Sequence, residues 1–561
     1  MVPEVQYSSG SSHNDKEPTA LNSAAFDVEQ QAVAEAHLRN TTIKSIAWKG
    51  VKVTVKDRKT KLPKSIVDDV EGVVEAGELF AIMGPSGCGK TTLLNFLASR
   101  PTGPSSSTSG KILVNGNPMD SRSLTLFHRT TSRFVEQEDT MIGSLTVRET
   151  LHFASRLATA SSSSERISRV EGLLDAFGLR EQANTLVGTP LRKGISGGQK
   201  RRLGVASQLI TGPKVLFLDE PTSGLDSVAG WEVVKYLRGV TKRNNLIVIA
   251  SIHQPSTATF NLFDKLLLMS HGKMHYFGPV AAVTSHYKSL GHQVPVHVNP
   301  AEFLLELVNT DFTTDKDTAS RQLEDMHLAW MNSVKSTELR VLLDSIEKAG
   351  SNAVIDLGTP EKKPTHIRLV LTLLHRSFLK SYRDVVVYGI RLMMYMGLAI
   401  MMGTVWLRLD TSQESIIPII NALFYGSAFL SFMACAYSPA YIEDYMQYIK
   451  EKRNGLYGAT SMIVSNFLIG TPYLLSVGGF MVPPTILNVF YKYVFHYWDY
   501  QKYAFENMLI NEFSERVYVC QKTATDCQFH VQDDKGVGHP RPANAKKGTY
   551  LKAHQKSREN A

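Results

Sequence analysis

The sequence of 561 residues predicts an α/β domain in its first half, followed by an all-α domain in its last third. Two observations carry this prediction. Residues 84–91 read Gly-Pro-Ser-Gly-Cys-Gly-Lys-Thr, and they stand between an apolar strand and a helix-forming run. Beyond residue 385, uncharged apolar stretches reach the ~20 residues that a membrane-spanning helix needs. We therefore expect a phosphate-binding α/β domain, which is a P-loop NTPase fold, and an all-α transmembrane domain after it.

The segment 84–91 matches the phosphate-binding pattern G-x-x-x-x-G-K-[ST]. Its glycines allow backbone N–H groups to curl round a phosphate, and the following helix N-terminus adds partial positive charge. Lys90 is expected to reach the β- and γ-phosphates, and the Thr91 hydroxyl to bind Mg²⁺. The predicted nucleotide-binding residues are Gly84, Pro85, Ser86, Gly87, Cys88, Gly89, Lys90, Thr91 and Thr92.

Composition limits the class of protein. The formal charge of +9 fits either a nucleic-acid partner or a membrane protein with basic cytoplasmic loops, and the apolar last third favours the second, with no nucleic-acid partner. The four cysteines form no metal-ligand cluster. Cys520 and Cys527 lie close together, and both a disulfide and two free thiols remain open. No apolar run precedes Thr41, so we expect no cleavable signal and insertion through internal helices.

Strands and helices alternate from about Thr42 to Pro279, after a polar tail at residues 1–41 that we expect to be disordered. Ser105–Ser109 and Ser161–Ser164 are expected to be solvated loops. The candidate strands are Ile112–Val114, Val215–Leu218, Leu246–Ser251 and Lys265–Met269.

A polar helical linker is expected next, with its clearest helix at Leu323–Ala349. The amphipathic segment that follows has apolar residues at helical spacing, from Ile367 to Tyr382, with basic residues between them. It fits a helix on the cytoplasmic membrane surface or a packed helix of the soluble domain, and both remain open.

Three membrane spans are predicted near 385–407, 416–438 and 456–477; a fourth stretch, 478–496, is interrupted by prolines. The segment Glu443–Arg453 carries three basic residues and is expected on the cytoplasmic side, which places the α/β domain in the cytosol.

Further polar motifs follow the phosphate-binding loop in a fixed order. Ser196, Gly197, Gly198 and Gln199 precede a helix at Leu203–Ile210 and make a second phosphate cradle. The apolar strand at 215–218 ends in Asp219, suited to Mg²⁺ binding, and Glu220, suited to polarising water.

Three single residues complete this set. Gln137 is placed to sense the metal and the water, and it joins Thr91 and Asp219 as a predicted metal residue. His253 follows a buried strand and is expected to contact the γ-phosphate. Asp226 lies in the turn after Glu220 and is predicted, with Ser196–Gln199, to bind nucleotide. The predicted catalytic residues are Glu220, His253 and Gln137.

In this order, the motifs resemble the nucleotide-binding domain of ATP-binding cassette (ABC) transporters. The α/β part resembles the G or white subfamily because it precedes the membrane part, and because of segments such as Asn299–Phe303 and Gly478–Pro484. The stretch Leu304–Phe312 resembles fungal members most. The resemblance implies an ABC-type P-loop NTPase with a helical subdomain, followed by an all-α transmembrane domain.

The resemblance also implies a mechanism. Two such domains bind two ATP molecules head to tail, so this single set of motifs implies a half-transporter that forms a homo- or heterodimer. Lys90, Thr91 and Asp219 would bind ATP and Mg²⁺ in cis, and Ser196 and Gly198 would act in trans. Residues 53–66 offer no counterpart to the family's adenine-stacking aromatic side chain.

The chain departs from the family in its membrane part, where six helices are expected and three or four are found. A piece lost through splicing or an imperfect gene prediction is one explanation, and a reduced membrane domain is the other. The expected organisation is a tail at 1–41, a nucleotide-binding domain at 42–310, a helical linker at 311–365, an incomplete transmembrane domain at 366–500 and a polar tail at 501–561.

Three functions remain as hypotheses. The first is an ATP-driven exporter half that moves a lipid or an apolar small molecule across the plasma membrane or an internal membrane. The second is a membrane-bound ATP-binding protein that forms no transport pathway. The third is a soluble cassette ATPase, which the apolar spans oppose.

Overall fold

The structure is a computed structural model. It describes residues 35–57, 61–103, 106–137, 140–189, 192–310, 316–350, 362–383, 415–435 and 438–478, isolated positions between 393 and 405, and two short strands near the C-terminus. The chain divides into two compact units. The first contains Met1–Arg383 and Glu443–Gly470, and the second contains Asp384–Ile442 and Thr471–Ala561.

Two sheets organise the first unit. Among the described residues, an antiparallel sheet has the strand order β2-β1-β4-β5, and a larger sheet has the order β10-β9-β3-β8-β7-β6. The strands are β1 (Ser45–Lys56), β2 (Pro63–Glu75), β3 (Leu79–Met83), β4 (Ser107–Val114), β5 (Asn117–Pro118), β6 (Ser132–Val135), β7 (Val215–Leu218), β8 (Ile247–Ile252), β9 (Lys265–Ser270) and β10 (Lys273–Pro279).

The larger sheet is parallel except for β10, which pairs antiparallel with β9 at one edge. Strands β3, β7 and β8 are buried on both faces, as their continuous apolar sequences require in a covered parallel sheet. The parallel strands β3, β6, β7 and β8 therefore end at one common edge of the sheet.

Helices cover these sheets and continue toward the C-terminus. They are α1 (Lys90–Leu97), α2 (Ser121–Thr130), α3 (Val147–Ala158), α4 (Ser163–Ala176), α5 (Gly197–Leu209), α6 (Ser227–Asn244), α7 (Thr257–Phe260), α8 (Val283–Ser289), α9 (Pro300–Leu307), α10 (Lys316–Met331), α11 (Val334–Gly350), α12 (His366–Arg383), α13 (Ile416–Cys435), α14 (Ser438–Arg453) and α15 (Ala459–Gly478).

The predicted strands are confirmed, with one-residue differences at Leu246–Ser251 and Lys265–Met269. The strand predicted at Ile112–Val114 is longer in the structure, where β4 begins at Ser107. The expectation of a loop at Ser105–Ser109 is wrong in part, because Ser107–Ser109 belong to β4 and pair with β1. These residues are exposed to solvent, so their composition matches a loop. Backbone pairing with a strand more than fifty positions away makes them a strand, and composition does not encode that pairing.

The predicted helix Leu323–Ala349 is two helices, α10 and α11. The break falls at Ser333, whose hydroxyl accepts a hydrogen bond from the Ser336 amide at 3.1 Å and so caps the start of α11. The helix predicted at Leu203–Ile210 begins earlier, at Gly197, because Ser196 caps it.

The N-terminal region predicted as a disordered tail contains an anchored segment at residues 35–40. Glu35 is 7% exposed and accepts hydrogen bonds from Arg243 and Asn244 on α6. Asn40 donates to the carbonyl oxygens of Ile43 and Asn245 at 2.7 Å. A buried carboxylate with charged and amide donors holds this segment to the domain.

The amphipathic helix α12 packs within the first unit. Its Leu369 and Leu373 belong to a hydrophobic cluster with Leu157 of α3, Tyr448 of α14 and Met462 of α15. The first compact unit thus extends past the predicted domain boundary at 366 and includes 443–470. Ile367 and Tyr382 lie on the opposite, exposed side of α12, so the helix has both a packed face and an open apolar one.

Two predicted spans, 416–438 and 456–477, coincide largely with the helices α13 and α15. In the part of the chain that is described, no helix has the combination of length and apolar content that a membrane crossing requires. Most of the predicted span at 385–407 lies outside the described residues, as does nearly all of the stretch 478–496. Cys520 and Cys527 also lie outside them. Within the predicted C-terminal tail, His530–Gln532 and Gly538–Pro540 pair as antiparallel strands.

Candidate nucleotide-binding site

The predicted site residues meet at the carboxyl edge of the parallel sheet. The glycine-rich loop follows β3, Gln137 follows β6, Asp219 and Glu220 follow β7, and His253 follows β8. Strand order places β3, β8, β7 and β6 side by side, so four segments that are distant in the sequence become neighbours. Ligands of open α/β sheets bind at this edge.

The glycine-rich loop adopts a conformation that side chains would block. A Cβ at Gly84 would lie 2.1 Å from the carbonyl oxygen of Met269, and Gly89 has a φ of +106° with the Ile66 carbonyl oxygen 2.6 Å from the corresponding position. Lys90 is 5% exposed, and its Nζ donates to the carbonyl oxygens of Gly84 and Pro85 at 2.8 and 2.9 Å. These hydrogen bonds hold the ammonium group against the glycine-rich loop.

The remaining loop residues divide by exposure. Ser86, Gly87 and Thr91 are exposed, whereas Cys88 is buried and Thr92 is half-buried on the first turn of α1. Burial raises the pKa of the Cys88 thiol, so the thiol is neutral and is no nucleophile. The loop thus offers its hydroxyls and backbone, and not its thiol, to a ligand.

The predicted metal residues Thr91 and Asp219 are in direct contact. The Thr91 hydroxyl donates to Asp219 Oδ1 at 3.1 Å, and the Ser251 hydroxyl donates to the same oxygen at 2.6 Å. Burial raises the pKa of Asp219, and the hydrogen bonds from Ser251 and Thr91 oppose that rise. Ser251 is fully buried on β8, so its hydroxyl orients the carboxylate rigidly.

The predicted catalytic residues Gln137 and Glu220 are also in contact. Gln137 Nε2 donates to Glu220 Oε2 at 2.7 Å. His253 Nε2 lies 3.2 Å from Ser86 Oγ of the glycine-rich loop. The structure therefore places Gln137 against Glu220, and His253 against the glycine-rich loop.

The backbone at Glu220 is unusual for a residue with a side chain. Its φ is +46°, in the left-handed region. Its amide donates to Ser251 Oγ at 2.9 Å, and its carbonyl oxygen accepts a hydrogen bond from the Arg201 guanidinium. Hydrogen bonds on both sides of this residue hold a conformation that costs free energy, which is typical of functional sites.

The second phosphate cradle has the geometry of a capped helix start. The Gln199 amide donates to Ser196 Oγ at 3.2 Å, and the Ser196 amide donates to Gln199 Oε1 at 2.8 Å. Ser196 and Gly197 are exposed, which leaves this positive helix end open to an anion. A Cβ at Gly198 would lie 3.0 Å from Leu225 Cδ2 in the turn before Asp226.

Asp226 acts in this structure as a helix cap. Its Oδ1 accepts a hydrogen bond from the Ala229 amide at 2.6 Å, at the start of α6. The predicted role of Asp226 in nucleotide binding stays a prediction, because the described contacts of its carboxylate explain it as a cap.

The donor set fits a triphosphate with Mg²⁺. Among the described residues, no group of three or more His, Cys, Asp or Glu side chains forms a metal cluster. Mg²⁺ bound to nucleotide needs few protein ligands, since phosphates and waters supply the others. Thr91, with Asp219 beside it, offers a hydroxyl and a carboxylate at the loop that would hold the phosphates, which suits this metal.

Sequence analysis missed two residues of this site, Ser251 and Arg201. In the sequence, Ser251 stands at the end of a predicted strand, and Arg201 stands in the basic run Lys200-Arg201-Arg202 after Gln199. Serine and arginine are common at strand ends and on helices. Their roles depend on which strand ends are neighbours, which only strand order reveals.

Comparisons with protein families agree with this site. A profile described as "ABC transporter" matches residues 67–223. Two profiles described as "ABC-2 type transporter" match residues 368–478 and 253–363. The matched regions cover the glycine-rich loop, the cradle at 196–199 and the carboxylates after β7 in one profile, and α12 to α15 in another.

The chain is similar to plant proteins over most of its length. It is 34% identical to ABC transporter G family member 1 of Petunia hybrida, in an alignment that covers 79% of this chain and 69% of the relative. Members 11 and 13 of Arabidopsis thaliana are each 33% identical, with 76% and 77% of this chain covered, and 62% and 67% of those relatives. The expectation of likeness to fungal members gains no support from these plant relatives.

Two solved structures of ATP-binding cassettes were also matched. One is the ATP-binding cassette MJ0796 in a dimeric post-hydrolysis state bound to ADP and Pi, at 24% identity and a TM-score of 0.36, covering 42% of this chain and 98% of that one. The other is a dimeric structure of the same bacterial cassette, at 25% identity with the same TM-score and the same coverage of both chains.

Proposed function

The chain belongs to the ABC transporter G family, and from that premise we propose that it is an ATP-hydrolysing half-transporter that dimerises to move a lipid or an apolar small molecule across a membrane. The single observation that carries the ATPase part is the contact of Gln137 with Glu220 beside the Thr91–Asp219 pair. This arrangement puts a water-polarising carboxylate next to the residues that would hold Mg-ATP.

Each residue of the site has its own role in the proposed hydrolysis of ATP. The glycine-rich loop and Lys90 bind the phosphates through N–H groups and one ammonium. Mg²⁺, when bound, neutralises phosphate charge, and Thr91 and Asp219 would hold it. Glu220 accepts the hydrogen bond of the attacking water, Gln137 orients Glu220, and His253 contacts the γ-phosphate.

Two exposed segments near the site support dimerisation. The Ser196–Gln199 helix start is exposed and lies next to the Gly224–Asp226 turn, which is partly exposed as well. We propose that both face a second copy or a related half-transporter, with Ser196 and Gly198 contacting the partner's ATP. The exposed, positively polarised helix end supports an anion contact from outside the chain.

Membrane placement rests on the family and on the apolar helices α13 and α15. We propose that the segments 385–407, 416–438 and 456–477 lie in the bilayer and that the two sheets with the glycine-rich loop face the cytosol. The exposed apolar side of α12, which includes Phe378 and Tyr382, supports contact with the membrane surface.

The test uses the full chain reconstituted in liposomes. We expect Mg-ATP hydrolysis and ATP-dependent movement of a labelled sterol, phospholipid or apolar dye, and we expect both to be absent in Lys90→Ala. Hydrolysis without movement of any of the three probes would favour the alternative, a membrane-bound ATPase that forms no pathway. Recovery of the protein in a salt-washed soluble fraction would contradict both membrane hypotheses.

The dimer is tested by mixing. Wild-type protein is co-reconstituted with increasing amounts of Glu220→Gln protein at constant total protein. If both sites of a dimer must hydrolyse, the rate falls with the square of the wild-type fraction. A linear fall would contradict the coupled dimer and would leave the ATPase assignment intact.

A further inference from the structure

Arg201 makes hydrogen bonds to four backbone carbonyl groups at once. Its Nη1 donates to the carbonyl oxygens of Glu136 and Gln137, both at 2.6 Å. Its Nη2 donates to the carbonyl oxygens of Asp219, at 2.7 Å, and Glu220. The side chain is 6% exposed, so these hydrogen bonds form in a largely water-free environment. Hydrogen bonds are stronger there, and leaving one of their partners unpaired costs more free energy.

The four carbonyl groups belong to two segments that perform the chemistry. One pair follows β6 and contains Gln137; the other follows β7 and contains Glu220. The planar guanidinium has donors in a fixed fork, and here one side of the fork holds each segment. Arg201 thereby sets the distance between the two backbones whose side chains meet at 2.7 Å.

Arg201 also connects these segments to the exposed phosphate cradle. It lies on α5, within the second turn after the Ser196 cap, and α5 is a continuous helix from Gly197 to Leu209. A small displacement of the Ser196 end therefore moves the guanidinium, and the guanidinium moves both carbonyl pairs. A helix is rigid over so short a distance, which makes the connection direct.

The neighbouring basic residues do not share this arrangement. Lys200 donates to the carbonyl oxygen of Gly188, outside the site. Arg202 donates to the carbonyl oxygens of Phe177 and Gly178, also outside the site. In this run of three basic residues, the described contacts thus place Arg201 against the catalytic backbone and leave Arg202 as a matched control of the same chemistry.

We propose that Arg201 is a positioning residue that transmits the state of the Ser196–Gln199 cradle to the Gln137–Glu220 pair of the same chain. The inference rests on the proposed function, in which that cradle contacts the partner's ATP. Each chain's cradle contacts the ATP of the partner's site, whereas its Arg201 positions Gln137 and Glu220 of its own site. Hydrolysis in one site therefore depends on nucleotide in the other.

The experiment compares Arg201→Lys and Arg201→Met with Arg202→Lys and Arg202→Met, in the reconstituted full chain. Lysine keeps the charge, but its single nitrogen cannot hold two carbonyl pairs in two directions. We expect kcat to fall roughly 10- to 100-fold for both Arg201 variants, since a small misplacement of catalytic groups has this effect. The dissociation constant of ATP, measured in a Glu220→Gln background, is expected to change less than about threefold.

Two further readouts separate positioning from mere folding. We expect a Hill coefficient for Mg-ATP above 1 in the wild type and of about 1 in Arg201→Lys, because coupling between the sites is lost. In a Gln137→Ala background the effect of Arg201→Lys on kcat should shrink, since residues acting through one another are not additive. Melting temperatures of all variants identify any that fail to fold. If Arg201→Met fails to fold, the comparison is made with Arg201→Lys alone.

The outcomes are distinguishable. A kcat for Arg201→Lys equal to that of Arg202→Lys, or full additivity with Gln137→Ala, would overturn the inference and leave the proposed ATPase untouched. A Hill coefficient of 1 in active wild-type protein would overturn the transmission between sites. Wild-type protein that neither binds nor hydrolyses ATP would overturn the proposed function and this inference with it.

Discussion

Arg376 and Glu451 form a bidentate ion pair between residues 75 positions apart, with Nη1–Oε1 and Nη2–Oε2 distances of 2.6 and 3.0 Å. Both side chains are buried, and Glu451 also accepts hydrogen bonds from Tyr457 and Gln447 at 2.6 and 2.8 Å. Burial alone would raise the pKa of Glu451, but the adjacent guanidinium holds that pKa below its ordinary value. This pair joins α12 to α14, so it helps to hold the segment 443–470 against residues 1–383 within the first compact unit.

Breaking this pair from one side should strongly destabilise the protein. We expect Glu451→Met to reduce the free energy of unfolding by about 3–5 kcal/mol, because Arg376 would remain buried without its carboxylate. The double variant Arg376→Met with Glu451→Met should recover most of that loss, since it leaves no unpaired charge. Thermal or denaturant unfolding of the purified full chain measures both.

The exposed pair Arg180–Asp175 provides the control. Arg180→Met should leave the free energy of unfolding nearly unchanged, because solvent screens exposed charges. If Glu451→Met and Arg180→Met lower the free energy of unfolding equally, the buried pair has no special role in stability.

Glu220→Gln should abolish hydrolysis and preserve ATP binding. The amide is nearly isosteric with the carboxylate but cannot accept a proton from the attacking water. Release of phosphate and retention of labelled ATP by the same protein sample measure the two properties. Glu232→Gln, on the exposed side of α6, is the matched control and should hydrolyse ATP at the wild-type rate. Turnover at a normal rate in Glu220→Gln would show that another group activates the water.

Ser251→Ala should raise the Mg²⁺ concentration that hydrolysis requires. The hydroxyl donates to Asp219 Oδ1 and accepts from the Glu220 amide, so its loss frees the carboxylate and the strained backbone together. Loss of a group that orients a metal-binding side chain weakens metal binding by roughly 10- to 100-fold. Mg²⁺ titrations of ATPase activity give the shift.

Ser155 supplies the control for this substitution, because it is equally buried and lies on α3, away from the strand ends. Ser155→Ala should leave the Mg²⁺ requirement unchanged, and Ser251→Thr should retain most of the wild-type affinity because it keeps a hydroxyl. If Ser251→Ala and Ser155→Ala titrate alike, Ser251 has no positioning role.

Acid should destabilise the nucleotide-binding unit through His275. This side chain is 1% exposed, and burial, with a smaller effect of His327, lowers its pKa to about 4. The other charged groups that affect it are Lys273 and Glu324. The unfolded chain, with a pKa near 6.5, takes up the proton first as pH falls, so stability is present above about pH 6.5 and is lost toward pH 4.

From pH 7.5 to 5.5 this histidine should account for a loss of about 1 kcal/mol of unfolding free energy. Unfolding of His275→Phe over the same range should show a smaller loss, because phenylalanine takes up no proton. His366→Phe, at an exposed position, serves as the comparison and should follow the wild type. An identical pH dependence in His275→Phe and the wild type would exclude His275 as a cause.

The sequence predicts the site correctly where neighbouring residues form it. The loop 84–91 is continuous with its strand and helix, so its glycines and lysine identify a phosphate site without further context. The two carboxylates that follow the strand at 215–218 are likewise recognisable, because they directly continue an apolar run. The prediction failed at Ser107–Ser109, where exposed polar residues form a strand through pairing with β1.

The motif order and the spacing of glycines, carboxylates and apolar runs indicate the family, the nucleotide chemistry and the residues that we propose for it. Only the tertiary structure decided that Arg201 holds two catalytic segments together, that Ser251 orients Asp219, and that Arg376 and Glu451 attach α14 to the nucleotide-binding unit. The physical reason is that each of these bonds joins segments brought together by strand order or helix packing. A hydrogen bond needs its partners within about 3 Å, and no local pattern in the sequence reports that distance.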